Sequence, residues 1–347
     1  MREFRQCVIE LSSFCNMRCT CCPVSDPSSG FKPVHMDTGL AMSVIDRIKK
    51  EKINCSITSN LLGESLLHPD AFDIYAHMIS NQIPFSLTTN SNVWKENIFD
   101  MITDRSSSLY LLIFSQNGLY DQKSQSAEKC MKGFDRKRSK EVIDYVMYLK
   151  QKKGSKFDIG VKATLRGQDY EEIEELIYYW LDYGMDFVSV GKPLISSGEG
   201  MRIFPCRYSD DFALEIRSTG DAIGCGWNTE VTNDLKLTFG KVPKTGSLID
   251  FYNNDLYREF RKRNYLGDFP DVCKRCSIAY TGDGFRGSVR FRHSRFPRKR
   301  VYYHEDYSNI FYSYKKKYSR ISFLREWKPD PEIVNEIERE GKRLYWK

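Results

Sequence analysis

No apolar run in this 347-residue sequence approaches the length of a membrane span. The first residues, Met1-Arg2-Glu3-Phe4-Arg5-Gln6, lack the apolar stretch of a signal peptide. Both absences lead to the expectation of a cytoplasmic protein, whose thiols stay reduced. There is no long low-complexity tract, and no repeat beyond an alternation of strand-like and helix-like segments. What the chain does have is eleven cysteines. In a reducing compartment they point to metal rather than to disulfides, the more so because seven of them fall into two groups with ligand-like spacing.

The composition, 41% apolar and 29% charged, is ordinary for a folded chain, and the length allows one large domain or two smaller ones. The net charge of +7 is uneven. Arg286 to Lys347 holds 17 Lys/Arg against 8 Asp/Glu, so the basic character belongs to the tail. There Arg290, Arg292, Arg295, Arg298, Lys299, Arg300 and Lys315 to Lys317 mix with tyrosines and phenylalanines. That is the composition of a phosphate- or nucleic-acid-binding surface, and equally of an amphipathic cover with a solvated face.

The periodicity predicts strands at 4–11, 53–58, 85–89, 109–114, 157–165 and 187–190. Between them it predicts helices at about 39–50, 68–79, 94–104, 138–152 and 170–182. Six strands alternating with helices define a parallel α/β sheet, curved or open, with its chemistry at the C-terminal strand ends. Cys15 to Cys22, Gly63-Glu64, Asn90 to Asn92 and Ser115 to Asn117 all lie at such ends. After Gly200 the pattern shifts to short strands, a turn at Thr219-Gly220-Asp221 and a helix at 248–263. The expected division is a parallel α/β unit at 1–200, a small α+β segment at 201–285 and a basic, aromatic-rich extension at 286–347, closing in a helix capped by Asp330-Pro331 and stopped at Gly341.

Cys15, Cys19 and Cys22 are spaced C-x3-C-x2-C. Three thiolates this close can hold three corners of an iron–sulfur cube. The fourth local cysteine of a ferredoxin run is missing, which leaves one iron open. A zinc knuckle would show C-x2-C pairs and a fourth local ligand. The second group, Cys206-x18-Cys225-x47-Cys273-x2-Cys276, can close a cluster with four ligands or hold zinc as a four-cysteine site. Cys7 and Cys55 sit in strand patterns as small core residues.

In these motifs the sequence resembles the radical S-adenosylmethionine (radical SAM) enzymes, over residues 5–195. Gly63-Glu64-Ser65-Leu66-Leu67-His68-Pro69 is similar to their Gly-Gly-Glu-Pro segment, Asn90-Ser91-Asn92 to their Thr-Asn-Gly strand end, and Phe114-Ser115-Gln116-Asn117-Gly118 to their Ser-x-Asp-Gly strand end. Leu62 replaces the first glycine, and Cys21 stands where an aromatic residue is usual. The resemblance implies a partial (βα)6 barrel in which a [4Fe–4S] cluster on Cys15, Cys19 and Cys22 binds S-adenosylmethionine at its open iron. Reductive cleavage would then yield a 5′-deoxyadenosyl radical that removes a substrate hydrogen. Glu64, with the backbone at Gly63, would receive the ammonium of the methionine moiety. Asn90 would lie in the cofactor site, Ser115 would contact the ribose or carboxylate, and Lys132 would pair with the carboxylate as a point charge.

The second cysteine group resembles the twitch form of the SPASM auxiliary domain. No cysteine follows Cys276, which favours one auxiliary [4Fe–4S] cluster. Cys130, in the polar stretch after the fourth strand, is a candidate hydrogen-atom donor to a substrate radical, as an epimerase requires. Small twitch members oxidise or epimerise sugar and aminocyclitol carbons, and the chain shows no N-terminal peptide-binding domain. A carbohydrate or aminocyclitol-like substrate is therefore expected first and a ribosomally made peptide second, with flavodoxin or ferredoxin as electron donor. A non-enzymatic metal- and nucleic-acid-binding protein is the reading from a different class; it leaves Gly63-Glu64 and Ser115 without a role.

Overall fold

The computed structural model describes residues 1–20, 22–25, 32–119, 131–164, 170–191, 210, 213–225, 237–274, 289–293, 300–304, 318–322 and 329–344. The apolar runs form six parallel strands, β1 (Gln6–Ile9), β2 (Ser56–Thr58), β3 (Phe85–Thr89), β4 (Leu109–Ser115), β5 (Asp158–Thr164) and β6 (Phe187–Gly191). Strands covered on both faces have no need to alternate, and Cys7, Val8 and Ile9 of β1 are all buried. Between the strands run α1 (Thr38–Lys50), α2 (Ala71–Ser80), α3 (Glu96–Ile102), α4 (Arg136–Lys153) and α5 (Tyr170–Asp182). Their apolar stripes, among them Leu40, Val44, Ile45, Ile74, Tyr75, Val142 and Val146, share one core with Ile57, Phe85, Leu87, Leu112, Phe114, Ile159 and Val161. Cys7 and Cys55 lie in that core, and burial drives the Cys55 thiol up to about 12.

Local chemistry sets the helix ends. Asp37 accepts from the Leu40 N–H at 2.7 Å, and Asp135 accepts from the Arg138 N–H at 3.0 Å; both are side-chain N-caps. Gly154, at φ +61°, closes α4 with the left-handed residue such ends favour. The helix expected from His68 begins instead at Ala71. His68 is held in the preceding turn: its Nδ1 accepts from the Asp70 N–H at 3.1 Å, so Nε2 carries the proton it shares with Met36 O at 2.8 Å.

Beyond residue 200 the chain returns to the same sheet. β7 (Ala213–Ile216) pairs in parallel with β1, and β8 (Asp221–Ile223) and β9 (Thr238–Lys241) extend that edge as antiparallel neighbours. At the other edge β11 (Arg300–His304) runs parallel to β6, with β10 (Val289–His293) and β12 (Tyr318–Ser322) antiparallel beyond it. The order is β12-β10-β11-β6-β5-β4-β3-β2-β1-β7-β8-β9, an open sheet. Strands from all three expected segments thus join one sheet; the boundaries at 200 and 285 lie outside the described residues.

The helix expected at 248–263 is two helices, α6 (Leu248–Tyr252) and α7 (Asp255–Tyr265). The break falls where asparagine side chains compete with the helical backbone. Asn254 caps α7 by accepting from the Tyr257 N–H, and Asn253 exchanges hydrogen bonds with the backbone of Arg2. A four-residue turn of helix, α8 (Asp271–Lys274), follows. The closing helix α9 (Pro331–Arg339) has Asp330 as its cap and buries Ile333 and Ile337 against Tyr265, with Lys262 bridging Glu336 and Glu340. Among the described residues no helix is long and apolar enough to cross a membrane.

Candidate functional site

Because β1 to β6 are parallel, the loops that leave their C-terminal ends meet on one rim of the sheet. The loop after β1 carries the three cysteines. It has an exposed crest at Asn16, Arg18 and Thr20, and a half-buried underside at Cys15, Cys19 and Cys22. Cys15 and Cys19 pack against the buried pair Met17 and Met131, as small apolar groups do, and Phe134 packs against the same pair. The Cys15 Sγ accepts from the Met17 N–H at 3.4 Å and from Asn90 Nδ2 at 3.7 Å. The backbone turns tightly at Cys22, whose N–H donates to Cys19 O. Burial pushes the Cys15 and Cys22 thiols up; Glu64 adds to the effect at Cys15, and Cys15 itself adds to it at Cys22.

The donor chemistry fits an iron–sulfur cluster: thiols only, gathered in one loop whose crest is exposed. Ligation to iron would act in the opposite sense and hold them as thiolates. Among the described residues, no three His, Cys, Asp or Glu side chains converge as a ready-made ion site. The three cysteines share a loop, with Cys15 and Cys19 against one small apolar cluster.

The loop after β2 comes in against that loop. Gly63 stands at φ +69°, and a Cβ there would lie 2.5 Å from Ser12 O and 2.6 Å from Ser13 C. Only glycine permits both this conformation and this closeness. The approach lets the Glu64 N–H donate to Phe14 O at 2.8 Å. The Glu64 side chain is 2% exposed. Its Oε2 accepts from the Asn90 N–H at 2.8 Å and from Thr89 Oγ1 at 3.1 Å, and its Oε1 accepts from the Leu66 N–H at 3.3 Å. The carboxylate therefore caps the short turn Ser65–Leu67 and ties the end of β2 to the end of β3. A carboxylate has about four acceptor positions, and these donors take three. Burial pushes its pKa from 4.5 to about 7 against the pull of those hydrogen bonds.

At the end of β3, Asn90 faces the cysteine loop, with Nδ2 also donating to Asn16 Oδ1 at 2.8 Å. Ser91 is held at φ +59°, with its hydroxyl 2.5 Å from Ser139 Oγ and accepting from Gln116 Nε2 at 2.6 Å. Ser115 ends β4, beside Lys162 in register. Lys132 is exposed, but its carbonyl accepts from the Arg18 N–H at 2.8 Å, and Asn92 Oδ1 accepts from the Asp135 N–H at 2.6 Å. Residues 131–135 thus lean on the cysteine loop, and Lys132 comes to its rim.

Two site groups escaped the sequence reading. Glu10, one residue beyond β1, is fully buried among the loops of this rim; a carboxylate inside the apolar run Val8-Ile9-Glu10-Leu11 was the available signal. Lys162 stands on β5 between Ser115 and Ser189 in register, and burial lowers its pKa. A lysine in Val161-Lys162-Ala163 is the same kind of signal.

Cys225 follows β8 and Cys273 lies in α8, both half-buried; Cys273 contacts the main core. Cys21, Cys130, Cys206 and Cys276 lie outside the described residues.

Residues 206–277 match the family model for SPASM, an iron–sulfur cluster-binding domain. The match begins at Cys206 and ends one residue past Cys276, so it spans the whole second cysteine group. No curated protein sequence matches the chain. Among solved structures, Streptococcus suis SuiB bound to S-adenosylmethionine aligns with a TM-score of 0.59 at 18% identity, covering 80% of this chain and 73% of that one. SuiB bound to its precursor peptide SuiA is covered over 66% of its length, with a TM-score of 0.57 at 16% identity and 74% of this chain aligned. Native anSMEcpe with bound AdoMet gives 0.57 at 14% identity, covering 81% and 92% of the two chains. BtrN in complex with AdoMet and 2-DOIA gives 0.50 at 16% identity, covering 82% and 96%. The chain has the fold of the radical SAM enzymes, an open α/β sheet. Within it, residues 206–277 are a SPASM-type iron–sulfur domain.

Proposed function

We propose that this protein is a radical SAM enzyme that oxidises or epimerises a carbohydrate or aminocyclitol-like molecule. The observation that carries the reading is the meeting of three strand ends: the cysteine loop after β1, the buried Glu64 after β2 and Asn90 after β3, joined by hydrogen bonds from Asn90 to both others. Cys15, Cys19 and Cys22 would hold a [4Fe–4S] cluster, and Cys206, Cys225, Cys273 and Cys276 one auxiliary cluster. When bound, the first cluster supplies the electron for reductive cleavage of S-adenosylmethionine.

The chain's own residues would bind and orient that cofactor. The remaining acceptor position on Glu64 suits its ammonium, and Lys132 at the loop rim suits its carboxylate. Asn90 holds the Cys15 side of the loop in place, and Ser115 offers a hydroxyl from the end of β4. Cys130 would return a hydrogen atom to the substrate radical if the reaction is an epimerisation.

Coverage of 96% of BtrN favours a small-molecule substrate, since that structure pairs AdoMet with 2-DOIA and leaves almost no part of BtrN unmatched. A peptide substrate is the second reading. It is favoured by anSMEcpe with bound AdoMet and the Cp18Cys peptide, covered over 92% of its length at a TM-score of 0.55. A protein reductant of the flavodoxin or ferredoxin kind is expected in either case.

Anaerobic reconstitution with iron counting and an S-adenosylmethionine cleavage assay tests the reading. Two clusters give about 8 Fe per chain, and Cys206→Ala lowers this toward about 4. Zinc in place of iron, or no 5′-deoxyadenosine formed under reduction, overturns it. Product analysis with cyclitol, sugar and peptide panels separates the two substrate readings.

A further inference from the structure

Glu10 has no part in the reading above, yet it is a fully buried carboxylate five positions ahead of Cys15. Its backbone N–H continues the sheet to Ile216 O of β7 at 2.8 Å. Its two carboxylate oxygens then divide between two distant segments. Oε1 accepts from the Leu62 N–H at 3.0 Å, immediately before Gly63-Glu64. Oε2 accepts from the Ser218 N–H at 2.9 Å and from Ser218 Oγ at 2.8 Å, in the turn that leads through β8 to Cys225. Arg217 Nε is 3.9 Å from Oε2. Ser218 Oγ also lies 3.1 Å from Ser13 Oγ, and Ser13 in turn exchanges hydrogen bonds with the backbone of Val34.

A carboxylate is acceptor-only, and all three short contacts to Glu10 come from donors, two of them backbone amides that cannot turn away. A neutral amide of the same shape would set an NH2 group against one of those donors. A buried charge is retained only where its hydrogen bonds are made, so the side chain demands that both segments stay in place. One segment carries Glu64 and closes on Ser12 and Ser13 at Gly63. The other belongs to the SPASM match.

We propose that Glu10 is a positioning residue that locks the Leu62–Glu64 loop to the Arg217–Ser218 turn, so that the cofactor loop and the auxiliary domain hold each other in register. The functional side of this inference rests on the radical SAM reading; the structural side does not.

Hydrogen–deuterium exchange on the full chain, as purified, tests the structural side without cluster or cofactor. Ser218→Ala deletes one donor and keeps the backbone N–H, so the fold is retained. It is expected to speed exchange about tenfold at amides 60–67, more than 150 positions away in sequence, besides its own turn. Glu10→Gln should do the same more strongly, and the double variant should be no worse than Glu10→Gln alone. Acceleration confined to residues 213–224, or additive effects in the double variant, overturns the proposal. In the reconstituted enzyme, Ser218→Ala should raise KM for S-adenosylmethionine about tenfold with iron content unchanged; an unchanged KM overturns the functional side. A wild-type protein that makes no 5′-deoxyadenosine removes the radical SAM reading and leaves the exchange result standing.

Discussion

Glu64 makes the stability of the folded chain depend on pH in a direction opposite to most carboxylates. Its pKa is raised by burial from 4.5 to about 7. Between those values the folded chain holds a proton at Glu64 that the unfolded chain has released. Stability therefore falls as pH rises through that window, and the loss is complete above about 7. A shift of this size corresponds to about 3 kcal/mol for so buried a group. Other carboxylates titrate as well, and Glu10 is raised by the same cause, so the informative quantity is a difference. Urea melts of wild type and Glu64→Gln, anaerobic, with reductant and without metal, from pH 4.5 to 8, should give stability differences that change by about 3 kcal/mol in the variant's favour as pH rises. The absolute offset between the two proteins reflects altered hydrogen bonds to Asn90, Thr89 and Leu66 and carries no weight. Curves that run parallel within about 0.5 kcal/mol would refute the assignment of a buried, partly protonated carboxylate. The same linkage reaches the cofactor: a cation beside Glu64 favours the ionised form, so affinity for S-adenosylmethionine should rise with pH across this window.

Gly63→Ala should destabilise the chain by about 2–4 kcal/mol, through the left-handed backbone and the contact of the new Cβ with Ser12 and Ser13, read by a shift in urea midpoint; a loss below about 1 kcal/mol would show that the loop opens easily. Asn254→Ala removes the cap that starts α7 and should cost about 1 kcal/mol by the same assay, with no change in iron content. Cys130→Ala in the reconstituted enzyme should retain deuterium exchange at the abstracted carbon while losing product if this thiol returns the hydrogen; unchanged turnover removes it from the mechanism.

Spacing and periodicity carried much of the architecture, because both are short-range properties of a chain. Apolar runs separated by amphipathic stretches lead to parallel strands with helices between them, and the six strands and five helices expected before residue 200 are all present. Parallel strands in turn bring the loops at their C-terminal ends to one rim, so the polar residues of those loops could be named before any of their contacts was known. Errors clustered where side chains override backbone propensity: at His68, which holds a turn where helix was expected, and at Asn253-Asn254, which split one helix into two.

The thiol loop and the cysteine group within the SPASM match could be read from the chain alone. Each is a matter of residue type and local spacing. Long-range packing is what sets β7 beside β1, presses Gly63 onto Ser12 and Ser13, buries Glu64 under the Asn90 amide and joins Leu62 to Ser218 through one carboxylate at Glu10. Those contacts link residues 26 to 208 positions apart. Nothing in the local pattern selects such partners. They follow from the sheet order and from the requirement that a carboxylate taken out of water meet donors from whatever segments packing brings to it.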